Sequence, residues 1–116
     1  MEERDRYPHG VPCWVDTLQP DVEAALAFYG ELFGWAFAGP GPMPPDPSGR
    51  YFVAQARGLD VAGVGSRPPE APPVVSWNTY VSVTSADEAT NKVRSADGRV
   101  IVEPFDALPA GRTAVL

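Results

Sequence analysis

Two short stretches carry side chains whose types and spacing could hold a small molecule. Trp14 and Asp16 stand two residues apart, so in an extended strand they share one face. Asn78, Tyr80 and Ser82 do the same further along the chain. An indole and a phenol can stack on a flat or apolar group, while an amide and a carboxylate can orient it. The same side chains could instead be core, with Trp14 and Tyr80 filling space and Asp16 bonded to backbone or to Arg112. The residue types leave both readings open.

Other residues with chemical potential have plainer roles. Asp16 and Glu103 could form a carboxylate pair for acid–base work, but Glu103 precedes Pro104 in a turn and is expected to face solvent. His9, the single histidine, lies in a polar N-terminal segment with no nucleophile beside it. Cys13 could be a reactive thiol, yet it points away from the Trp14 face and is expected to be a small core residue. Gly63-Val64-Gly65-Ser66 lacks a third glycine and runs into Arg67-Pro68 instead of a helix, so it is not a dinucleotide loop.

The elements that must position these residues occur twice. Cys13 to Leu18 reads as a strand, Asp21 opens a helix that stops near Gly34, and Trp35 to Phe37 reads as another strand. Asn78 to Val83 reads as a strand, Ser85 opens a helix ending near Gly98, and Arg99 to Val102 is a further strand. Trp14 to Asp21 spans seven residues, and so does Asn78 to Ser85. Two like halves in one short chain suggest closure around a shared cavity.

The first helix shows a capping Asp21, apolar residues Val22, Ala25, Leu26, Tyr29, Leu32 and Phe33 at helical spacing, and Gly34 as a stop. The second shows a capping box, Ser85 with Glu88, and a face of Ala86, Ala89, Val93 and Ala96. Between the helices, Tyr51 to Ala56 and Leu59 to Gly65 read as strands joined by a tight Arg57-Gly58 turn.

Fourteen prolines exceed the usual share of about 5%. They cluster between Gly39 and Pro47 and between Arg67 and Pro73. Proline lacks the backbone donor, so neither stretch reads as helix or central strand. The first is expected to be a long loop and the second a linker. The organisation expected is a first module over 11–66, a Pro-rich linker over 67–75 and a second module over 76–116. The element order is βαβββ then βαββ, so by internal symmetry the second half lacks its last strand. A partner chain or a continuation of the chain would supply that edge.

Composition bounds the partners. A chain of 116 residues suits one domain that buries roughly two thirds of its unfolded surface. The net charge of −6 and scattered cations argue against nucleic acid and anionic membranes. No apolar run approaches the roughly 20 residues of a membrane span, and one cysteine forms no internal disulfide. A cytoplasmic location is the expectation.

The stretches Pro12-Cys13-Trp14-Val15-Asp16, Ala25 to Trp35 with its Phe28-Tyr29-x-x-Leu32-Phe33-Gly34-Trp35 signature, Val61-Ala62-Gly63, Trp77 to Val81, Val102 to Asp106 and Gly111-Arg112 resemble the vicinal oxygen chelate superfamily. That superfamily includes glyoxalase I, bleomycin-resistance proteins and extradiol dioxygenases. The resemblance implies an α+β fold in which paired βαβββ modules form an open, curled mixed sheet around a cavity. It is closest to a glyoxalase-like branch often built from two tandem domains. It also implies metal-ligand positions at Trp14, Asn78 and near Gly63, with a fourth in the missing last strand. Indole is no ligand, glycine has no side chain, and a neutral amide suits a transition metal poorly.

The expectation is therefore a small-molecule binding protein with no metal and no cofactor, its ligand touching Trp14, Asp16, Asn78, Tyr80 and Ser82. It would work as a homodimer or beside a tandem partner domain. Two alternatives stay open. One is a metal-dependent lyase or dioxygenase of the same fold, with ligands from a partner chain or missing tandem domain. The other is a structural half-domain.

Overall fold

The structure is a computed structural model that describes residues 6–43, 46–69, 71, 74–107 and 111–116. Along the chain run β1 (Pro12–Gln19), α1 (Val22–Phe33), β2 (Ala36–Met43), β3 (Asp46–Ala56), β4 (Leu59–Ser66), β5 (Trp77–Val81), α2 (Ala86–Ser95), β6 (Val102–Asp106) and β7 (Arg112–Val115). This is an α+β architecture in the expected βαβββ and βαββ order. The chain forms two compact units. One is Cys13–Tyr80, and the other joins the N-terminal segment as far as Pro12 to Val81–Leu116.

The first unit holds a sheet in the order β2-β3-β4-β1-β5. Strands β2, β3 and β4 run antiparallel in sequence, and β4 returns parallel to β1 with Asp16 opposite Gly63 and Leu18 opposite Gly65. The β3–β4 turn is Arg57-Gly58, with φ of 54° and 79°. Two left-handed residues in succession suit the twist of a two-residue hairpin. Strand β5 opens the second repeat in sequence, yet it adds to this sheet beside β1.

Helix α1 begins where Asp21 accepts a hydrogen bond from the Ala24 amide at 3.1 Å. It ends at Gly34, whose φ of 70° closes the last turn onto the Gly30 carbonyl. Its buried Val22 and Ala25 meet Val64 of β4, with Leu26, Tyr29, Phe37 and Phe52 around them. Because side chains alternate along a strand, this contact settles both faces of the sheet. Val64 and Phe52 face the helix, so Gly63, Gly65, Tyr51, Asp16 and Leu18 face the other way.

Next to this core lies an aromatic cluster. The Tyr29 ring stands 5.0 Å from Phe28 and 5.2 Å from Trp77, and Phe33 stands 4.7 Å from Trp35. Phe28 and Phe33 keep 58% and 54% of their surface exposed.

One expectation needs correction. The Gly39 to Pro47 stretch is not a long loop, because β2 runs on to Met43 and β3 starts at Asp46. β2 is the edge of the sheet, where a missing proline N–H leaves no ladder partner unsatisfied. The register shifts twice along it, between Ala38 and Gly41 and between Gly41 and Met43. At Gly39 the φ is 126°, and a Cβ there would come within 2.9 Å of the Tyr51 carbonyl.

In the second unit Ser85 caps α2, accepting from the Glu88 amide at 3.1 Å. Arg112 at the start of β7 donates to Asp87 on α2 at 2.9 Å and to Asp106 on β6 at 3.1 Å. The strand expected at Arg99 starts only at Val102 and runs through Pro104, with its register irregular between Val102 and Phe105. The N-terminal segment pairs beside Ser82, whose N–H donates to the Val11 carbonyl at 2.8 Å while its carbonyl accepts from Gly10 at 2.6 Å.

Candidate functional site

The sheet face opposite α1 carries a polar cluster centred on Asp16. The carboxylate is 3% exposed, and both its oxygens are engaged. Oδ2 accepts from the Tyr51 hydroxyl at 2.8 Å and from the Tyr80 hydroxyl at 2.9 Å. Oδ1 accepts from the Asn78 side-chain amide at 3.1 Å. The Trp14 indole N–H in turn donates to the Tyr51 oxygen at 2.8 Å. Three strands supply this network: β1 gives Trp14 and Asp16, β3 gives Tyr51, and β5 gives Asn78 and Tyr80.

Four of the five residues read from the sequence therefore meet around one carboxylate. Ser82 lies one residue past the end of β5 and belongs to the other unit, where its hydroxyl donates to the Tyr7 carbonyl at 3.4 Å. Asp16 is bonded to side chains of its own sheet, whereas Arg112 is taken by Asp87 and Asp106. Glu103 pairs with Arg94 and is 65% exposed, so it makes no carboxylate pair with Asp16. His9 accepts from the Thr84 amide at 3.0 Å in an exposed position, and Cys13 is half-buried.

Tyr51 is the member that sequence reasoning missed, and two glycines explain its place. A Cβ on Gly63 would lie 1.8 Å from the Tyr51 hydroxyl oxygen and 2.3 Å from the ring carbon that bears it. A Cβ on Gly65 would lie 3.0 Å from the same ring. The phenol thus crosses β4 over bare backbone to reach Asp16 on the far neighbour. The signal in the sequence is the alternation Gly63-x-Gly65 in a strand next to one bearing a tyrosine. Glycines at alternate positions clear one face for a bulky neighbour.

The electrostatics keep the two phenols protonated. Burial, and then the negative charge of Asp16, push the Tyr51 hydroxyl well above the ordinary tyrosine range, with Trp14's hydrogen bond a smaller opposing influence. Burial and Asp16 do the same to Tyr80. Both act as hydrogen-bond donors at neutral pH and neither is a nucleophile. Asp16 accepts from three donors, so the carboxylate holds the network together.

The same geometry tests a divalent metal at the positions the resemblance implies. Trp14 presents an N–H, which cannot ligate. Gly63 has no side chain, and the Tyr51 ring occupies the space one would take. The oxygens of Asp16 face hydrogen-bond donors. This set of residues does not fit a transition metal. No group of three or more His, Cys, Asp or Glu side chains able to hold an ion occurs among the described residues.

Beside the network opens a shallow cleft of about 180 Å³, lined by Leu18, Arg67, Ala71, Val74, Ser76 and Asn78. Asn78 belongs to both, since its side-chain amide donates to Asp16 and the residue lines the cleft. Ser76, which lines the cleft, accepts at its carbonyl from the Thr17 hydroxyl at 2.8 Å. No helix among the described residues is long and apolar enough to cross a membrane.

Comparison with known proteins agrees with this architecture. The family model for the Glyoxalase/Bleomycin resistance protein/Dioxygenase superfamily matches residues 14–115. The chain is 37% identical over 118 residues to a protein of Mycobacterium tuberculosis named "Putative glyoxylase CFP32", covering all of this chain and 44% of that one. It is 34% identical over 125 residues to the anthracycline biosynthesis protein DnrV of Streptomyces peucetius, covering 95% of this chain and again 44% of the relative. The chain thus spans less than half the length of these curated relatives. With the family matched from Trp14 to within a residue of the end, the chain belongs to the glyoxalase/bleomycin-resistance/dioxygenase superfamily.

Proposed function

We propose that this domain binds a small organic molecule without a metal, using the Asp16-centred face as the floor of its site. The observation that carries the reading is the closed network itself: Trp14, Tyr51, Asn78 and Tyr80 occupy, through one carboxylate, the face that would otherwise carry ligating groups. Trp14 and Tyr80 remain partly accessible and offer flat surfaces for an aromatic or apolar group. Asn78 orients it and Asp16 fixes the donors, while Ser82, just past the end of β5, spends its hydroxyl on the Tyr7 carbonyl. The relative from anthracycline biosynthesis supports a role beside an aromatic small molecule. The test is elemental analysis of the purified chain after exposure to nickel, zinc, iron and manganese, beside a fluorescence titration with aromatic compounds. A stoichiometric ion that the Asp16→Ala variant loses would overturn the metal-free reading.

A second reading has its own support. The relative named as a glyoxylase is more than twice as long as this chain, so a metal-dependent lyase or dioxygenase could draw its ligands from another module or chain. A full-length relative that retains metal and activity after this domain's network is mutated would favour it. For either reading the working form is a homodimer or a pairing with a tandem domain, supported by the half-exposed Phe28 and Phe33. Light scattering that returns a stable monomer across micromolar concentrations would count against that assembly.

A further inference from the structure

The geometry points to the cleft beside Asn78 as a carboxylate-binding subsite, so that the ligand class is a small aromatic or apolar organic anion. This rests on the small-molecule reading, because Asn78 serves both the network and the cleft. Arg67 is the cationic residue that lines the cleft, and no carboxylate pairs with it among the described residues. Arg50, Arg94 and Arg112, by contrast, are each taken by an acidic side chain. Arg67 is also held in place. Its backbone N–H donates to the Gln19 carbonyl at 2.9 Å, tying the base of the side chain to the end of β1.

Asp16, the acidic residue that shares Asn78 with the cleft, makes no ion pair with this cation. Asp16 is buried, and its oxygens are occupied by Tyr51, Tyr80 and Asn78. A carboxylate on this face would favour a cationic ligand, but Asp16 is buried and held by three donors, whereas Arg67 lines the cleft itself. The remaining polar groups suit an anion as well. Asn78 uses one amide N–H on Asp16 and has a second, and Ser76 has a hydroxyl, while Leu18, Ala71 and Val74 supply apolar walls. A planar guanidinium fork beside an amide and a hydroxyl is the donor set that recognises a carboxylate. A volume of about 180 Å³ admits a carboxylate with a small ring or short chain, at roughly 30 Å³ for each water displaced.

The test uses benzoate, benzamide and benzylamine, which share a ring and differ in charge. Each is titrated into the isotope-labelled chain while the Arg67 side-chain N–H, the Asn78 amide and the Trp14 indole N–H are followed by NMR. Benzoate should shift the first two, bind at least tenfold more tightly than benzamide, and lose that advantage in Arg67→Met while Arg67→Lys keeps part of it. Equal binding of benzoate and benzamide at Trp14, with no shift at Arg67, would overturn the subsite and leave the small-molecule reading standing. Tighter binding of benzylamine would overturn the anion preference. No shift at any of the three groups with any probe would overturn both.

Discussion

Substituting Gly63 by alanine tests how the site is built. The new Cβ would sit 1.8 Å from the Tyr51 hydroxyl and 2.8 Å from a ring carbon, so the whole ring must swing off β4. That movement breaks the Tyr51 bond to Asp16 and the Trp14 bond to Tyr51. A hydrogen bond to a charged group contributes about 1.5–3 kcal/mol and a neutral one about 1 kcal/mol, so the expected loss is about 3 kcal/mol. For a chain of this size that lowers the melting temperature by roughly 10 °C or more. The decisive measurement is a double-mutant cycle by urea denaturation. In a Tyr51→Ala background the clash partner is absent, and Gly63→Ala should change stability by no more than about 0.5 kcal/mol, with a small gain possible because glycine weakens a strand. The coupling between the two sites should then be about 3 kcal/mol. Equal costs of Gly63→Ala in both backgrounds would refute the reasoning, since the glycine would then be required by something other than the phenol.

Three more outcomes follow from the same network. Of the four tyrosines, Tyr51 and Tyr80 should resist ionisation when absorbance is followed through pH 10–12, because burial and Asp16 raise both; the unfolded chain releases those protons near pH 10, so stability should fall as pH rises above about 10. Tyr51 and Tyr80 titrating late in the native protein, and near pH 10 in denaturant, is the expected absorbance record. Asp16→Ala removes the shared acceptor of three donors and should cost about 2–4 kcal/mol in chemical denaturation, with Tyr80 then ionising at lower pH; an unchanged midpoint would show that the carboxylate's own burial cost cancels its bonds. Trp14→Ala should weaken binding of an aromatic probe by roughly 2 kcal/mol if the ring anchors the ligand, and a loss of about 3–5 kcal/mol of stability with no effect on titration would make the indole a structural plug.

Much of this was readable from local chemistry. Asp21 and Gly34 bound the first helix because capping and left-handed closure depend on only a few neighbouring residues, and the Ser85-Glu88 box did the same for the second. The period of two along a strand was enough to place Trp14 with Asp16 and Asn78 with Tyr80 before any contact was known. What the sequence could not supply was strand order. The Gly39–Pro47 stretch reads as a loop until β2 is seen to be an edge, because a missing donor matters only if a neighbour needs it. Tyr51 belongs to the site only because β4 lies between β3 and β1 and presents glycines beneath the ring, a coincidence of register across three strands. The availability of Asp16 was also a tertiary matter. A carboxylate on a strand face looks free to meet a cation, and only the tertiary structure packs two phenols and an amide around it, from residues 35 to 64 positions away.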